Sequence, residues 1–176
     1  MTKPPDLHTP GWSELCALAA DLGAALRERG WRLATAESCT GGLVSAAVTS
    51  VAGSSDWFDR GVVTYSNAAK TDLLGVNPAL FPQVGAVSPE VAGAMALGVL
   101  QHAGADLAVA VTGIAGPGGG TPDKPVGTVW FGLAWRDGGA PHGETRHMLF
   151  KGDRAGVRLQ ATAFVLHWAQ DAARTA

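Results

Sequence analysis

Two cysteines, one tyrosine and four lysines occur in this 176-residue chain, and each scarcity limits what the protein can be. Cys16 lies in a helical pattern and Cys39 in a turn, so the pair makes neither a disulfide framework nor a metal-type motif. The five histidines (His8, His102, His142, His147, His167) lack HxxxH or HExxH spacing, and no metal or cofactor is assigned. A net charge of −2, a pI near 6.2 and no Lys/Arg cluster leave no footprint for a polyanion, so nucleic acid is not a partner. No segment approaches about 18 uninterrupted apolar residues, and the polar, Pro-rich start lacks an apolar signal region. The expectation is a soluble, cytoplasmic protein with no membrane partner. Repeats, low-complexity tracts and linkers are also missing.

What remains is a chain 47% hydrophobic and 16% charged, enough for one well-buried domain and short for two. A disordered tail over 1–11 and a single domain over 12–176 are expected. Leu15, Leu18, Ala19, Leu22 and Leu26 recur at helical spacing up to Gly30. Trp31 to Ala36 reads as a buried strand, with a helix from about Gly42 to Val51 after it. The β-branched run Gly61–Ser66 reads as a second strand, followed by a short helix 68–74 capped by Asn67. Ser88-Pro89-Glu90 announces a helix that runs to about His102. Asp106–Thr112, nearly all apolar, has the signature of a parallel strand covered on both faces. A Gly- and Pro-rich loop, 113–125, precedes two strands (126–135 and 144–150) joined by a hairpin connection, 136–143. A last helix spans about 153–173. The order α-β-α-β-α-α-β-β-β-α predicts a three-layer α/β/α sandwich with a mixed sheet, parallel at its centre and closed by an antiparallel edge hairpin.

Three predicted strand ends carry polar residues: Glu37-Ser38-Cys39-Thr40-Gly41-Gly42, Thr64-Tyr65-Ser66-Asn67 with Lys70 beyond, and Thr112-Gly113 leading to Gly116. Ligands of open α/β sheets bind outside the carboxyl ends of strands, so the three ends point to one site. No histidine lies in them, which removes a Ser-His-Asp arrangement. From the residues alone, Ser38 is either a turn cap or a nucleophile, with Cys39 its rival because a helix N-terminus lowers a thiol pKa. Lys70 is either a solvated surface residue or, if buried and neutral, the base for Ser38, with Tyr65 as relay. Glu37 has a structural alternative as a cap acceptor, and Arg154 and Arg158 as members of a solvated face.

Six segments in order, AESCTGG (36–42), TYSNAAK (64–70), GAVS (85–88), TGIAGP (112–117), KPVGTV (124–129) and FKGDR (150–154), resemble the CinA C-terminal domain family over about residues 12–170. That resemblance implies hydrolysis of the carboxamide of nicotinamide mononucleotide to nicotinic acid mononucleotide and ammonia, in pyridine nucleotide salvage. It implies Ser38 as nucleophile, Lys70 and Tyr65 as its activating partners and Thr112 as a hydroxyl facing the reacting group. Glu37, Thr40, Gly41, Gly42, Asn67, Gly113, Gly116, Arg154 and Arg158 become the substrate-binding set. The turn from Ser38 to Gly42 is expected to receive the oxyanion, and the loop glycines to leave room for the ribose phosphate. A fused N-terminal domain, common in the family, is expected to be absent, and a homodimer or higher homo-oligomer is allowed. The competing classes are a non-catalytic nucleotide-binding module and an amidase for another small carboxamide.

Overall fold

A computed structural model describes residues 8–136, 138 and 140–175. Helix α1 (Trp12–Arg29) buries Leu15, Ala19, Leu22 and Leu26, the stripe legible in the sequence, and stops at Gly30 in the left-handed region (φ 68°). It is followed by β1 (Leu33–Glu37), α2 (Leu43–Thr49), a one-turn 3₁₀ segment (Ser54–Asp56) and β2 (Phe58–Val63). Then come α3 (Asn67–Leu74), α4 (Leu80–Val84), α5 (Pro89–His102), β3 (Leu107–Gly113), β4 (Thr128–Arg136), β5 (Pro141–Leu149) and α6 (Arg154–Thr175). No helix among the described residues is long and apolar enough to cross a membrane.

The five strands form one sheet in the order β2-β1-β3-β4-β5. β2, β1 and β3 run parallel, while β4 and β5 are antiparallel to their neighbours. Helices cover both faces, as the sequence order implies. Side-chain size is segregated between the faces. Leu33, Leu107, Val109, Val111, Phe131 and Leu133 point into a core shared with α1, α2 and α6. Ala34, Ala36, Ala108, Ala110 and Ala134 point the other way, toward α5 and Leu74 of α3. A face of alanines lets a helix approach closely. A Cβ on Gly132 would run into the Ala92 carbonyl of α5, and one on Gly98 of α5 would run into the Leu74 carbonyl. Thus α5 is wedged between sheet and α3, which sets the height of α3 above the strand ends.

Several sequence-based boundaries shift. β2 starts at Phe58 and ends at Val63, so Thr64, Tyr65 and Ser66 lie beyond the strand end. Asn67 is not the cap of α3: Ser66 Oγ accepts the Ala69 N–H at 3.0 Å, and Asn67 is the first helical residue. The loop before Ser88 contains α4, whose Pro82 sits in its first turn, where the missing N–H has no helical partner to lose. The connection 136–143 is shorter than expected, because β4 includes Arg136 and β5 begins at Pro141; its Asp137 and Gly139 lie outside the described residues. Of the tail 1–11, residues 1–7 lie outside the described residues, and Pro10 is buried. The cap of α5 is as read: Ser88 Oγ accepts the Val91 N–H, with Pro89 following.

Two glycines of α5 should respond oppositely to alanine. At Gly93 a Cβ meets only Thr145 Cγ2 at 3.4 Å, an ordinary contact, so Gly93→Ala should raise stability by about 0.5–1 kcal/mol through helix propensity. Gly98→Ala should lower it by about 1–3 kcal/mol, because the new methyl meets backbone. Urea unfolding midpoints at unchanged slope would measure both, and equal shifts would refute the wedge.

Candidate active site

Parallel pairing carries the three polar segments to the same end of the sheet. The Ser38 N–H donates to Val111 O (2.9 Å) and the Thr64 N–H to Glu37 O (2.8 Å), so Ser38, Thr64 and Thr112 stand side by side. The strand's alternation sends Ser38 and Cys39 to opposite faces of the sheet. Ala34 and Ala36 face α5, and Ser38, one step on in the same parity, follows them to the side of α3. Cys39 turns into the opposite core with Val44 and Val111. There burial pushes its thiol up to about 12, against the lowering expected at a helix start. A neutral thiol in a core is not a nucleophile at neutral pH.

Glu37 is engaged by the helix that follows it. Its buried carboxylate accepts the N–H groups of Gly42 (2.9 Å), Val44 (3.1 Å) and Ser45 (2.8 Å) and the Ser45 hydroxyl (2.7 Å). The first turn of α2 therefore already holds its anion. Glu37 shapes the Ser38 turn with both oxygens. The Gly42 N–H is held by Glu37 and the Gly41 N–H by Ser38 O (3.1 Å), so these two donors of the turn are occupied by protein oxygens.

Lys70 is the central side chain. It is 1% exposed, and its Nζ donates to Ser38 Oγ at 3.1 Å, Thr64 O at 2.7 Å and Tyr65 O at 3.4 Å. No carboxylate pairs with it among the described residues. Burial holds its pKa below the usual lysine value of 10.5. An amine held on a serine oxygen and driven toward its neutral form has the attributes of a general base. Among the described residues no group of three or more His, Cys, Asp or Glu could hold a metal ion.

The remaining sequence candidates divide. Tyr65 touches the amine only through its carbonyl; its phenol is 62% exposed and accepts from Arg154 Nη2 at 3.0 Å, so it is not poised as a proton relay. Arg154 also donates from Nη1 to Gly116 O (2.8 Å), linking the start of α6 to two loops at the rim. Arg158 turns inward and donates to Cys39 O (3.1 Å) and Thr40 O (2.9 Å), clamping the Ser38 turn. Gly41, at φ 59°, leaves space for that guanidinium, which would lie 3.3 Å from a Cβ there. The Thr40 hydroxyl is buried with no protein partner among the described residues, and Asn67 is exposed. Gly113 and Gly116 turn the positions of their missing side chains toward protein. A Cβ on either would collide with Val129 or Val126 within 2.7 Å, so their absent side chains serve packing. A cavity of about 640 Å³ is lined by Ala115, Pro117, Val126, Gly152, Arg154 and Arg158 among others; it adjoins the rim, and Ser38 and Lys70 do not line it.

Thr112 does not point at an open site: its hydroxyl donates to Ala86 O at 2.8 Å. Lys124, to which the sequence reading assigned no role, donates to Val84 O and Val87 O, both at 2.8 Å, and Ser88 Oγ donates to Gly85 O at 3.0 Å. Four successive carbonyls, 84 to 87, are thus held by side chains, fixing the segment before α5 beside the β3 end. The sequence signals were that Lys124 is one of four lysines and that it opens the KPVGTV segment.

Residues 16–173 match the model of the CinA C-terminal domain family. The chain is 59% identical over 152 residues to the nicotinamide-nucleotide amidohydrolase PncC of Enterobacter agglomerans, covering 86% of this chain and 91% of that protein. It is 52% identical over 160 residues to the protein of the same name from Escherichia coli strain K12, covering 90% and 95%. Among solved structures it is similar to the competence damage-inducible protein A of Klebsiella pneumoniae (TM-score 0.84, 41% identity, 89% of this chain and 95% of that one).

A buried lysine without a counter-charge should make the protein less stable than it could be. With the folded pKa below 10.5 and the unfolded value near it, the unfolded state binds more protons between the two, so stability rises with pH in that window. Lys70→Met, which removes the titration, should be the more stable protein at neutral pH, with the gap narrowing toward pH 10.5. Unfolding free energies of both proteins across that range are the check; a constant or widening gap would contradict it.

Proposed function

The chain belongs to the CinA C-terminal domain family, and we propose that it hydrolyses the carboxamide of nicotinamide mononucleotide, giving nicotinic acid mononucleotide and ammonia. The observation that carries the reading is the 3.1 Å contact between the buried, unpaired amine of Lys70 and Ser38 Oγ. In its neutral form Lys70 takes the Ser38 proton as Oγ attacks the carboxamide carbon. The resulting ammonium then protonates the departing nitrogen as the tetrahedral intermediate collapses to an acyl-serine and ammonia. Water activated by the same amine releases the acid. The carbonyls of Thr64 and Tyr65 keep the amine on Oγ throughout.

Arg154 is the residue of choice for the 5′-phosphate. It stands at the rim beside the cavity, and its present partners, a phenol and a carbonyl, are neutral groups that a phosphate dianion can displace. Arg158 is committed to the Ser38 turn and positions the nucleophile. Pyridine nucleotide salvage is the process such a reaction serves.

Ammonia release should be measured with nicotinamide mononucleotide, free nicotinamide and other small carboxamides. The mononucleotide should be preferred by far in kcat/KM, since phosphate binding positions the amide. Release should fall roughly 10³-fold or more in Ser38→Ala and largely persist in Cys39→Ala. No release from any amide would leave a binding module, and equal use of nicotinamide would leave a different amidase.

The two arginines should separate in kinetics. Arg154→Ala should raise KM roughly 10- to 100-fold, the worth of a charge-assisted hydrogen bond, with a smaller change in kcat. Arg158→Ala should lower kcat chiefly, because the turn loses its clamp. A KM effect confined to Arg158→Ala would reverse the assignment.

A further inference from the structure

We propose that the Thr64 hydroxyl holds the Lys70 amine in place while Ser38 is acylated, and so positions the base for the second half of the reaction. The inference rests on the amide hydrolysis proposed above and concerns a side chain to which that mechanism gives no role.

Thr64 is 0% exposed, yet its Oγ1 has no hydrogen-bond partner among the described residues. A buried hydroxyl left unpaired destabilises a fold, and a valine would fill the same space without that cost. The residue nevertheless stands beside the nucleophile. The Thr64 N–H donates to Glu37 O and the Ser38 N–H to Val111 O, which sets Thr64, Ser38 and Thr112 in register across three parallel strand ends. Ala36 and its partner Val62 pack on the α5 side; two residues on, Ser38 and Thr64 point to that same side, on strands about 4.8 Å apart. The other hydroxyls nearby are spent: Thr112 donates to Ala86 O, Ser66 Oγ accepts the Ala69 N–H, and Thr71 donates to Val76 O.

The chemistry of the amine supplies the missing partner. Two positions on Nζ face the carbonyls of Thr64 (2.7 Å) and Tyr65 (3.4 Å), which can only accept. The third faces Ser38 Oγ (3.1 Å), which can give or take a hydrogen. Once Oγ carries the acyl group it has no hydrogen to give, and ester resonance makes it a poor acceptor. The third position then needs a group that donates to the neutral amine or accepts from the ammonium. A hydroxyl does both, and that of Thr64 is close in the covalent frame to the carbonyl oxygen that already holds Nζ. Water entering the place left by ammonia attacks the acyl carbon and gives a proton to Nζ. The bond from that carbon to Oγ breaks as Nζ passes the proton to Oγ, and the acid leaves.

Thr64→Val should separate the two halves of the reaction. Rapid mixing with nicotinamide mononucleotide should release a burst of about one ammonia per enzyme. The steady rate that follows should lie below that of the wild type by roughly ten- to a hundredfold, the worth of one hydrogen bond to a charged group. Mass spectrometry of the intact protein should find the ester on Ser38 accumulating beyond its level in the wild type. Thr64→Ser, which keeps the hydroxyl, should restore the steady rate, and Thr64→Val should be no less stable to urea than the wild type. Thr64→Ala serves if the valine variant fails to fold. An unchanged steady rate in Thr64→Val, loss of the burst together with the steady rate, or no rescue by serine would overturn the proposal and leave the amidase reading standing. A wild type that releases ammonia from no amide would remove that reading, and this proposal with it.

Discussion

Burying an amine without a carboxylate is the constraint on which the site depends. Lys70 lies at 1% exposure on three neutral oxygens, and nothing nearby repays the loss of hydration as an ion pair would. The amine is held there because α3 is held there. Helix α3 packs on α5 through Leu74, and α5 lies close to the sheet because the strand faces beneath it are alanine and glycine. The small-residue face is thus a cause of the lysine's altered basicity, through a chain of backbone contacts. In the mechanism proposed above, stability given up at Lys70 places a base beside Ser38, the usual trade at a functional site.

The Ser38 turn is built on the same logic of occupied partners. A turn from strand to helix leaves N–H groups that attract an anion. Here the anion is internal: Glu37 fills that role with both oxygens, and Arg158 grips the carbonyls on the other side. Ser38 is consequently presented by a turn with little freedom to move. Pre-organisation of this kind matters for a reaction on an amide, where misplacement of the attacking oxygen is costly. The rim is looser in kind. Tyr65 and Gly116, from two loops, and Arg154, from the start of α6, meet through two exchangeable hydrogen bonds. On the proposed function, the rigid interior would serve bond-making and the replaceable rim substrate capture.

Much of this was legible in the chain because local physics dictates it. The Leu stripe of α1, the Ser-Pro start of α5 and the apolar run of β3 depend on spacing and capping within one element. Where two local rules competed, at Ser66 and Asn67, the better-placed oxygen took the cap. Convergence of the three polar strand ends also follows from sequence, since parallel strands with helical crossovers must align their carboxyl ends.

By itself the sequence determined the layers and the meeting of the three polar strand ends, because periodicity and element order are properties of a line of residues. It left Ser38, Cys39 and Lys70 each with two readings, and strand parity separates the first two only once the facing of Ala34 and Ala36 is known. Tertiary structure alone decided which polar groups meet. Glu37 closes on its own helix, Thr112 reaches Ala86, Tyr65 reaches Arg154 across 89 positions, and Arg158 reaches Thr40 across 118. A hydrogen bond is won by the donor and acceptor that packing brings within about 3 Å, and a sequence records which groups exist but not the distances between them.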